Sequence, residues 1–301
     1  MAIFNNHIFF PTDFSTNAEH ALSFAAEIAY KTGAKLTLFH ANQDPVHSAP
    51  SAMDFTAASE TSHEETVRKI NTRFDKLIDN LKGQKKYQDL TISTLLQSGQ
   101  ATASLLNQID QDQPDLVVMG TQGSTSSRKA ILGSVTANIV QKSEAPVLAV
   151  PNGSTMDTFE RILFTTDYND GDLDALEHTI EFAQLFNASV DILHIAEQDN
   201  LESEIKFRGI QSLINDRFVF PNMEFHKIHE HDFFPGIADY VTEHPVSLVV
   251  MVRYKKSFWE RLAQRSHSKE MAFYSKVPLL MLKGNHQERN QTEVEDINAT
   301  K

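Results

Sequence analysis

Residues 119–151 read MGTQGSTSSRKAILGSVTANIVQKSEAPVLAVP, and this stretch decides the fold of the chain. It begins where an apolar run ends, and it places Gly120, Gly123 and Gly133 ahead of a helix-like segment. Glycines let backbone amides approach a ligand without an intervening Cβ atom. A helix that begins directly after them presents unpaired N–H groups and the positive end of its dipole to an anion. The stretch therefore predicts a strand–loop–helix unit that binds a phosphate-bearing ligand such as a nucleotide.

The chain also contains an internal repeat. Residues 7–41 align without gaps with residues 161–195, at a constant spacing of 154, and Asp13 meets Asp167 in this alignment. A later Leu-Val-Val-Met run recurs at a spacing of 132, so the first half holds 22 additional residues, mostly after Asn42. The repeat predicts a tandem duplication, with a surface loop near the ligand site in the first half.

Each half reads as alternating strands and helices. Residues 17–31 form an amphipathic helix that Gly33 is placed to end. Strand-like apolar runs in the first half lie at residues 8–10, 36–40, 90–96, 116–119 and 147–150. This alternation predicts a parallel, doubly wound sheet, in which ligands bind beyond the carboxyl ends of the strands. Asp13, Ala41 and the Gly120 loop each follow a strand, so we expect them to converge there.

Composition narrows the class of protein. A chain of 301 residues suggests two domains of about 150 residues each. The net charge of −13 argues against broad binding to nucleic acid or to anionic membranes. The absence of cysteine excludes disulfides, thiolate metal sites and cysteine nucleophiles. No run approaches the roughly 18 apolar residues of a membrane span, and no signal peptide is evident, so we expect a cytoplasmic protein.

These motifs resemble the universal stress protein family in its tandem two-domain form. The matching features cover residues 3–283: Asp13, the His40-Ala41 strand end, the Gly120-xx-Gly123-x9-Gly133-Ser134 spacing, Val135-Thr136, and the closing APVLAV at 145–150. The resemblance implies two doubly wound, five-stranded parallel sheets of the adenine nucleotide alpha hydrolase-like type, with strand order 3-2-1-4-5. We expect a first domain at residues 1–153, a second at 157–284 and a flexible polar tail at 285–301.

The resemblance further implies ATP, bound without a P-loop. By position, Asp13, with Thr12 beside it, and the backbone of Ala41 would hold the adenine–ribose end. The residues expected around the phosphates and ribose are Met119, Gly120, Gly123, Gly133, Ser134, Val135 and Thr136. Arg128 and Lys129 could add positive charge. Mg²⁺ is a reasonable partner of the phosphates, but the sequence shows no dedicated metal cage, so no metal site is predicted.

The second half departs from this pattern. Gly120 is replaced there by Val252, Gly123 by Lys255 and Gly133 by Arg265. At the other positions Ser134 is kept as Ser266, Val135 becomes His267 and Thr136 becomes Ser268. Side chains stand where the backbone had to touch phosphate, so we expect no ATP in the second domain. The basic run from Arg253 to Lys269 is interpreted as a solvent-facing loop, with a site for another anion as the alternative.

Several residues allow a simpler interpretation. Asp13 could cap the following helix, although the glycine loop favours binding, and Asp167 is interpreted as a cap or turn residue. His40 and His194 are interpreted as packed or hydrogen-bonded rather than metal-ligating. His226, His229, His231 and Asp232 resemble a metal cluster, but strand alternation brings only 229 and 231 to one face and no third ligand is evident.

The sequence lacks the familiar enzyme signatures. It contains no P-loop, no GxGxxG after a first strand and no GxSxG elbow, and no general base is identifiable, so no catalytic residue is predicted. We expect a nucleotide-responsive stress regulator with one ATP per chain. The two domains would pair through their last strands as an intrachain pseudo-dimer, and a homodimer of chains is left open. The alternatives are an interaction module with a vestigial loop, or a slow ATPase.

Overall fold

The computed structural model describes residues 4–42, 57–123, 132–155, 159–169, 171–198, 200–253 and 276–284. Its first half contains β1 (His7–Pro11), α1 (Thr16–Thr32), β2 (Lys35–Asn42), α2 (Ala57–Lys82), a short 3-10 turn (Lys85–Tyr87), β3 (Ile92–Ser98), α3 (Ala101–Asp112), β4 (Leu116–Gly120), α4 (Ser134–Lys142) and β5 (Val147–Val150). Its second half contains β6 (Arg161–Thr165), α5 (Asp172–Phe186), β7 (Ser189–Ala196), α6 (Leu201–Arg217), β8 (Met223–His229), α7 (Phe233–Glu243), β9 (Leu248–Arg253) and β10 (Leu279–Lys283).

The described strands form one sheet in the order β3-β2-β1-β4-β5-β10-β9-β6-β7-β8. Neighbouring strands are parallel within each half, and each half has the predicted order 3-2-1-4-5. The fold class is therefore confirmed. The halves meet where β5 and β10 pair antiparallel, with Leu148 opposite Leu280. Pairing there shields two apolar strands that would otherwise be exposed edges.

Both faces of the sheet are covered, as expected for parallel strands. Successive residues of β1 point to opposite faces, so Ile8 and Phe10 belong to one core cluster and Phe9 to the other, and all three are fully buried. The predicted strand at 90–96 is displaced, because Leu90 lies in a turn that its backbone N–H closes onto the Tyr87 carbonyl. Leu90 is apolar because it joins the core from that turn, not because it belongs to β3.

Helix α1 shows how local sequence sets the element boundaries. Ser15 is its N-cap, and the Ser15 hydroxyl accepts a hydrogen bond from the Ala18 N–H at 3.2 Å. The capping role considered for Asp13 is therefore wrong. At the other end Gly33 adopts the left-handed conformation, with φ of 75°, and its N–H donates to the Ala29 carbonyl, as predicted. The helix consequently begins directly after the turn that holds Asp13.

Candidate functional site

The turn after β1 is fixed by its own side chains. The Thr12 N–H donates to the Phe39 carbonyl at 2.8 Å, which ties the turn to β2. The Thr12 hydroxyl accepts from the Phe14 N–H at 2.9 Å, and Asp13 Oδ1 accepts from the Ser15 N–H at 3.0 Å. Phe14 has a positive φ of 58°, unusual for an aromatic residue. Asp13 is thus held in one orientation at the carboxyl end of β1.

His40 supports this turn from the end of β2. Its Nδ1 lies 2.8 Å from the Thr12 carbonyl, which can only accept, so Nδ1 carries the proton. The centroid of its ring lies 4.7 Å from that of Phe14. The Arg73 guanidinium also packs on the Phe14 ring, 4.4 Å from its centroid. Burial lowers the pKa of His40 below the usual histidine value. The prediction of a packed, hydrogen-bonded histidine is confirmed.

The glycines of the β4–α4 loop are needed for close approach rather than for an unusual φ. A Cβ atom added to Gly123 would lie 2.9 Å from Asp13 Oδ2, and one added to Gly120 would lie 3.2 Å from the Asn17 carbonyl oxygen. Neither glycine has a positive φ. The structure therefore brings the loop backbone directly against the Asp13 carboxylate, two features that are 110 residues apart in the chain.

Helix α4 begins at the same place. Gly133 is its N-cap, makes no side-chain cap and donates its N–H to the Thr121 carbonyl at 2.6 Å. The Thr136 hydroxyl donates to the Gly120 carbonyl at 2.8 Å, which fixes the helix against the end of β4. Ser134 is exposed at the first position of the helix. In this arrangement the first-turn N–H groups and the Ser134 hydroxyl can donate hydrogen bonds to an anion.

The remaining predicted residues lie around this loop. Ala41 is half-buried near the end of β2, Met119 is buried in β4, and Val135 is half-buried in α4. Since the Met119 side chain belongs to the core, only its backbone is available at the site. Arg128, Lys129 and the loop after Asn42 lie outside the described residues. The assignment of all these residues to a ligand stays a prediction.

The second half repeats the turn but holds it differently. Tyr168 has a φ of 62°, its ring stacks on His194 at 3.9 Å, and His194 Nδ1 lies 2.9 Å from the Thr166 carbonyl. The buried Asp172 carboxylate accepts hydrogen bonds from the Thr166 hydroxyl at 2.6 Å and from the Asp167 and Asn169 N–H groups. Asp172, which aligns with Ala18, was missed in the sequence. The N-cap of α5 is Gly171, so of the two roles predicted for Asp167, cap or turn, the turn is the correct one.

A pocket of about 950 Å³ lies beside this turn. The turn and the end of β7 form one wall, and helix α6 forms the other. Its described lining residues are Asp167, Tyr168, His194, Ile195, Ala196, Glu197, Gln198, Asn200, Glu202, Ser203, Lys206, Gly209, Ile210 and Leu213. Three of these side chains are acidic, and the basic one, Lys206, donates to Glu202 at 2.6 Å. The lining therefore disfavours a polyanion.

Arg253 corrects one sequence interpretation. Its guanidinium donates to the carbonyls of Gln141 and Ser143 at the end of α4, so it joins the two halves rather than facing solvent. Lys283 forms a second link across the same junction by pairing with Glu144, and the pair lowers the pKa of the Glu144 carboxyl. The remainder of the basic run, residues 254–269, lies outside the described residues. It includes the two positions where glycines are replaced, Lys255 and Arg265, and also Ser266, His267 and Ser268.

The histidines in β8 and just after it separate into two groups. His229 Nδ1 lies 3.0 Å from the Ala196 carbonyl, and its ring lies 6.1 Å from that of His231. His226 instead points to the opposite face and lies beside Asp191 and Glu224. The cluster considered from the sequence is therefore not the one that the fold assembles. None of the described helices has the length and apolar character needed to cross a bilayer.

Fold and site together define a doubly wound α/β protein with a glycine loop and a helix N-terminus beyond the carboxyl ends of its strands. The model of the universal stress protein family matches residues 5–151, the whole β1–β5 unit. Residues 5–151 therefore form a universal stress protein domain, and the second half of the chain repeats the same strand order.

The similar proteins agree with this assignment. A universal stress protein from Methanocaldococcus jannaschii is 24% identical over 157 residues, which are 50% of this chain and 97% of that protein. One from Bacillus subtilis is 24% identical over 145 residues, 48% of this chain and 98% of that protein. The crystal structure of a universal stress protein from Archaeoglobus fulgidus superimposes with a TM-score of 0.66 at 17% identity, covering 96% of this chain and 100% of that one. At that identity the likeness concerns the fold, and it extends over both halves.

Proposed function

We propose that the first half of this protein binds ATP and that the protein acts as a nucleotide-responsive regulator in the stress response rather than as a turnover enzyme. The contact between the Gly123 backbone and the Asp13 carboxylate carries the proposal. It places an acceptor for ribose hydroxyls or the adenine amine next to a loop that leads directly into the N-terminus of α4. Both ends of a nucleotide therefore have a partner of suitable chemistry within one site.

The same observations support a division of roles among the predicted residues. The nucleoside would be bound by Asp13, Thr12 and the Ala41 backbone. The phosphates would be bound by Ser134 and the first-turn amides of α4. Mg²⁺ would be held by those phosphates and water, as is usual for this ion. Location in the cytoplasm belongs to this proposal on the grounds of composition.

One ATP per chain is the stoichiometry we propose. Val252 stands at the end of β9 where the first half has Gly120 at the end of β4, and its half-buried side chain packs against the core. Among the carboxylate and lysine side chains that line the pocket beside Asp167, three are acidic and one is basic. The antiparallel pairing of β5 with β10 supports the further proposal that the two halves act as an intrachain pseudo-dimer.

Equilibrium dialysis of the full chain with radiolabelled ATP tests the proposal. We expect saturable binding of one ATP per chain, and its loss in Gly123→Val. An absence of saturable binding by the wild type would overturn it in favour of an interaction module with a vestigial loop. Multiple turnover of ATP at about 1 per second or faster, the low end of ordinary enzyme rates, would contradict the non-enzyme role.

A further inference from the structure

A buried carboxylate with an unused oxygen lies on β7, between β6 and β8. Asp191 on β7 is 1% exposed, and its Oδ2 accepts a hydrogen bond from the Tyr240 hydroxyl at 2.8 Å. Arg161 Nε lies 3.6 Å from the same oxygen. The other oxygen, Oδ1, is buried and has no hydrogen-bond partner. A buried carboxylate oxygen without a hydrogen-bond partner costs folding free energy, so a ligand bound to this oxygen would be stabilising.

His226 presents a second unused atom to that oxygen. Its Nε2 is buried without a hydrogen-bond partner and lies 4.0 Å from Asp191 Oδ1 and 3.7 Å from Glu224 Oε2. Both separations exceed the 2.7–3.2 Å typical of a hydrogen bond. The three ligand atoms lie within 4.8 Å of one another. Ligand atoms of a tetrahedral ion at about 2.0–2.2 Å lie about 3.3–3.6 Å apart, so these side chains would close in by a few tenths of an ångström to bind one.

The β7–β8 register creates this cluster. Asp191 lies opposite Glu224, and His226, two residues further along β8, points to the same face. Asp191 and His226 are 35 positions apart in the chain, which is why no sequence spacing revealed the set. Glu224 has 65% of its side chain exposed and His226 has 28%, so an ion can enter from solvent on their side.

The first half shows the same place without the charges. Thr37, which aligns with Asp191, lies opposite Ser93, and these two hydroxyls are 3.0 Å apart. His7 Nε2 completes that network at 2.8 Å from the Thr37 hydroxyl. At this place in the first half the polar atoms are hydrogen-bonded to neutral partners. In the second half two carboxylates and an imidazole come together, and Asp191 Oδ1 and His226 Nε2 have no hydrogen-bond partner.

From this geometry we propose that Asp191 Oδ1, Glu224 Oε2 and His226 Nε2 form a binding site for a divalent transition-metal ion, with Zn²⁺ as the ion that one imidazole and two carboxylates suit. Three protein ligands leave a fourth position of a tetrahedral Zn²⁺ to water. The Tyr240 hydroxyl holds Asp191 from behind, and the Tyr240 ring packs edge-on to His226 at 5.1 Å. Outer contacts of this kind orient ligands in metal sites.

The metal itself is the probe for the test. Full-length protein freed of metal with a chelator is titrated with Zn²⁺ in competition with a chromophoric indicator, and with Co²⁺ followed by its visible spectrum. We expect one ion per chain, and an affinity at least about tenfold lower in His226→Ala and in Glu224→Gln, in line with loss of a ligand. His231→Ala, which alters the neighbouring histidine outside the cluster, should bind as the wild type does.

Thermal unfolding shows whether a variant loses Zn²⁺ binding because a ligand is missing or because the protein is misfolded. Zn²⁺ should raise the Tm of the wild type and of His231→Ala, because it binds only the folded state, and at the same concentration it should raise the Tm of His226→Ala less. Far-UV circular dichroism establishes that each variant is folded. Three outcomes overturn the site: no stoichiometric binding by the wild type, full binding by His226→Ala, or loss of binding in His231→Ala. None of these readouts depends on ATP.

Discussion

Phe14 and Tyr168 occupy the same place in the two halves and share a left-handed backbone, with φ of 58° and 62°. Each ring lies against a histidine, His40 or His194, whose Nδ1 bonds to the threonine carbonyl of the same turn. Such a backbone costs on the order of 1–3 kcal/mol and persists only where its surroundings fix it. The duplication has therefore kept the turn in both halves, although the glycine loop that faces it differs.

The contact between Gly123 and Asp13 predicts a large effect from one added methyl group. In Gly123→Ala the new Cβ meets Asp13 Oδ2 at 2.9 Å, so the carboxylate must move, and we expect ATP affinity to fall at least about tenfold, or about 1.4 kcal/mol. Gly209→Ala is the matched control, because a Cβ there meets nothing within 4 Å. That variant should keep its ATP affinity and gain about 0.5–1 kcal/mol of stability in α6. Isothermal titration calorimetry and urea unfolding measure the two quantities, and equal ATP affinities would exclude the contact as part of the site.

Asp13 and Asp167 give a comparison within one chain. Asp13→Asn keeps an oxygen for the Ser15 N–H but loses the charge, so we expect ATP to bind more weakly by about 1.5–3 kcal/mol, the range for hydrogen bonds to charged groups. Asp167→Asn should leave both the affinity and the stoichiometry unchanged. Equilibrium dialysis reports both. A reduced stoichiometry in Asp167→Asn would show that the second half also holds the nucleotide.

Arg253 should stabilise the junction between the halves. It donates to two carbonyls at the end of α4, groups that have no partner within the helix. We expect Arg253→Met to lower the free energy of unfolding by about 1.5–3 kcal/mol. Lys142→Met removes an exposed charge from the same helix end and should cost only about 0.3–1 kcal/mol. Urea unfolding midpoints give the comparison, and an equal loss in both variants would reduce the role of Arg253 to its charge.

His40 predicts a loss of stability on acidification. Its pKa is lowered in the fold, mainly by burial, so between that value and about 6.5 the unfolded chain binds a proton that the native chain excludes. Its contribution is complete above the unfolded pKa and is lost as the pH falls towards the folded one. The free energy of unfolding should therefore drop less between pH 7.5 and 5.5 in His40→Asn than in the wild type. The lowered pKa of His7 acts in the same direction in both proteins. Identical pH profiles would contradict this account.

Sequence patterns predicted the sheet and the neighbourhood of the site because both follow from periodicity. Alternating apolar runs, a repeat and glycines after a strand suffice to place Asp13 and Gly123 at one end of a doubly wound sheet. The sequence patterns do not identify individual capping and turn residues. Asp13 and Ser15 are both good capping residues, and only the backbone shows that Ser15 is the cap. Asp172 replaces an alanine in the repeat, so alignment alone could not reveal the turn that its carboxylate holds.

The cluster around Asp191 shows the other limit. Alternation along β8 correctly separates His226 from His229, but it cannot say which residue of the neighbouring strand faces His226. That depends on the register of β7 against β8, which places Glu224 opposite Asp191. An acidic residue within the apolar run of β7 was the available signal, because a charge in a buried strand requires a partner.

The antiparallel join between β5 and β10 has a directional consequence. Strands run parallel within each half, so the carboxyl ends of the first five point to one edge of the sheet and those of the second five to the opposite edge. The loop at Asp13 and the pocket beside Asp167 therefore open away from each other. One small molecule cannot span both, because they lie at opposite ends of the strands. The duplication has produced a molecule with two separately addressable ends.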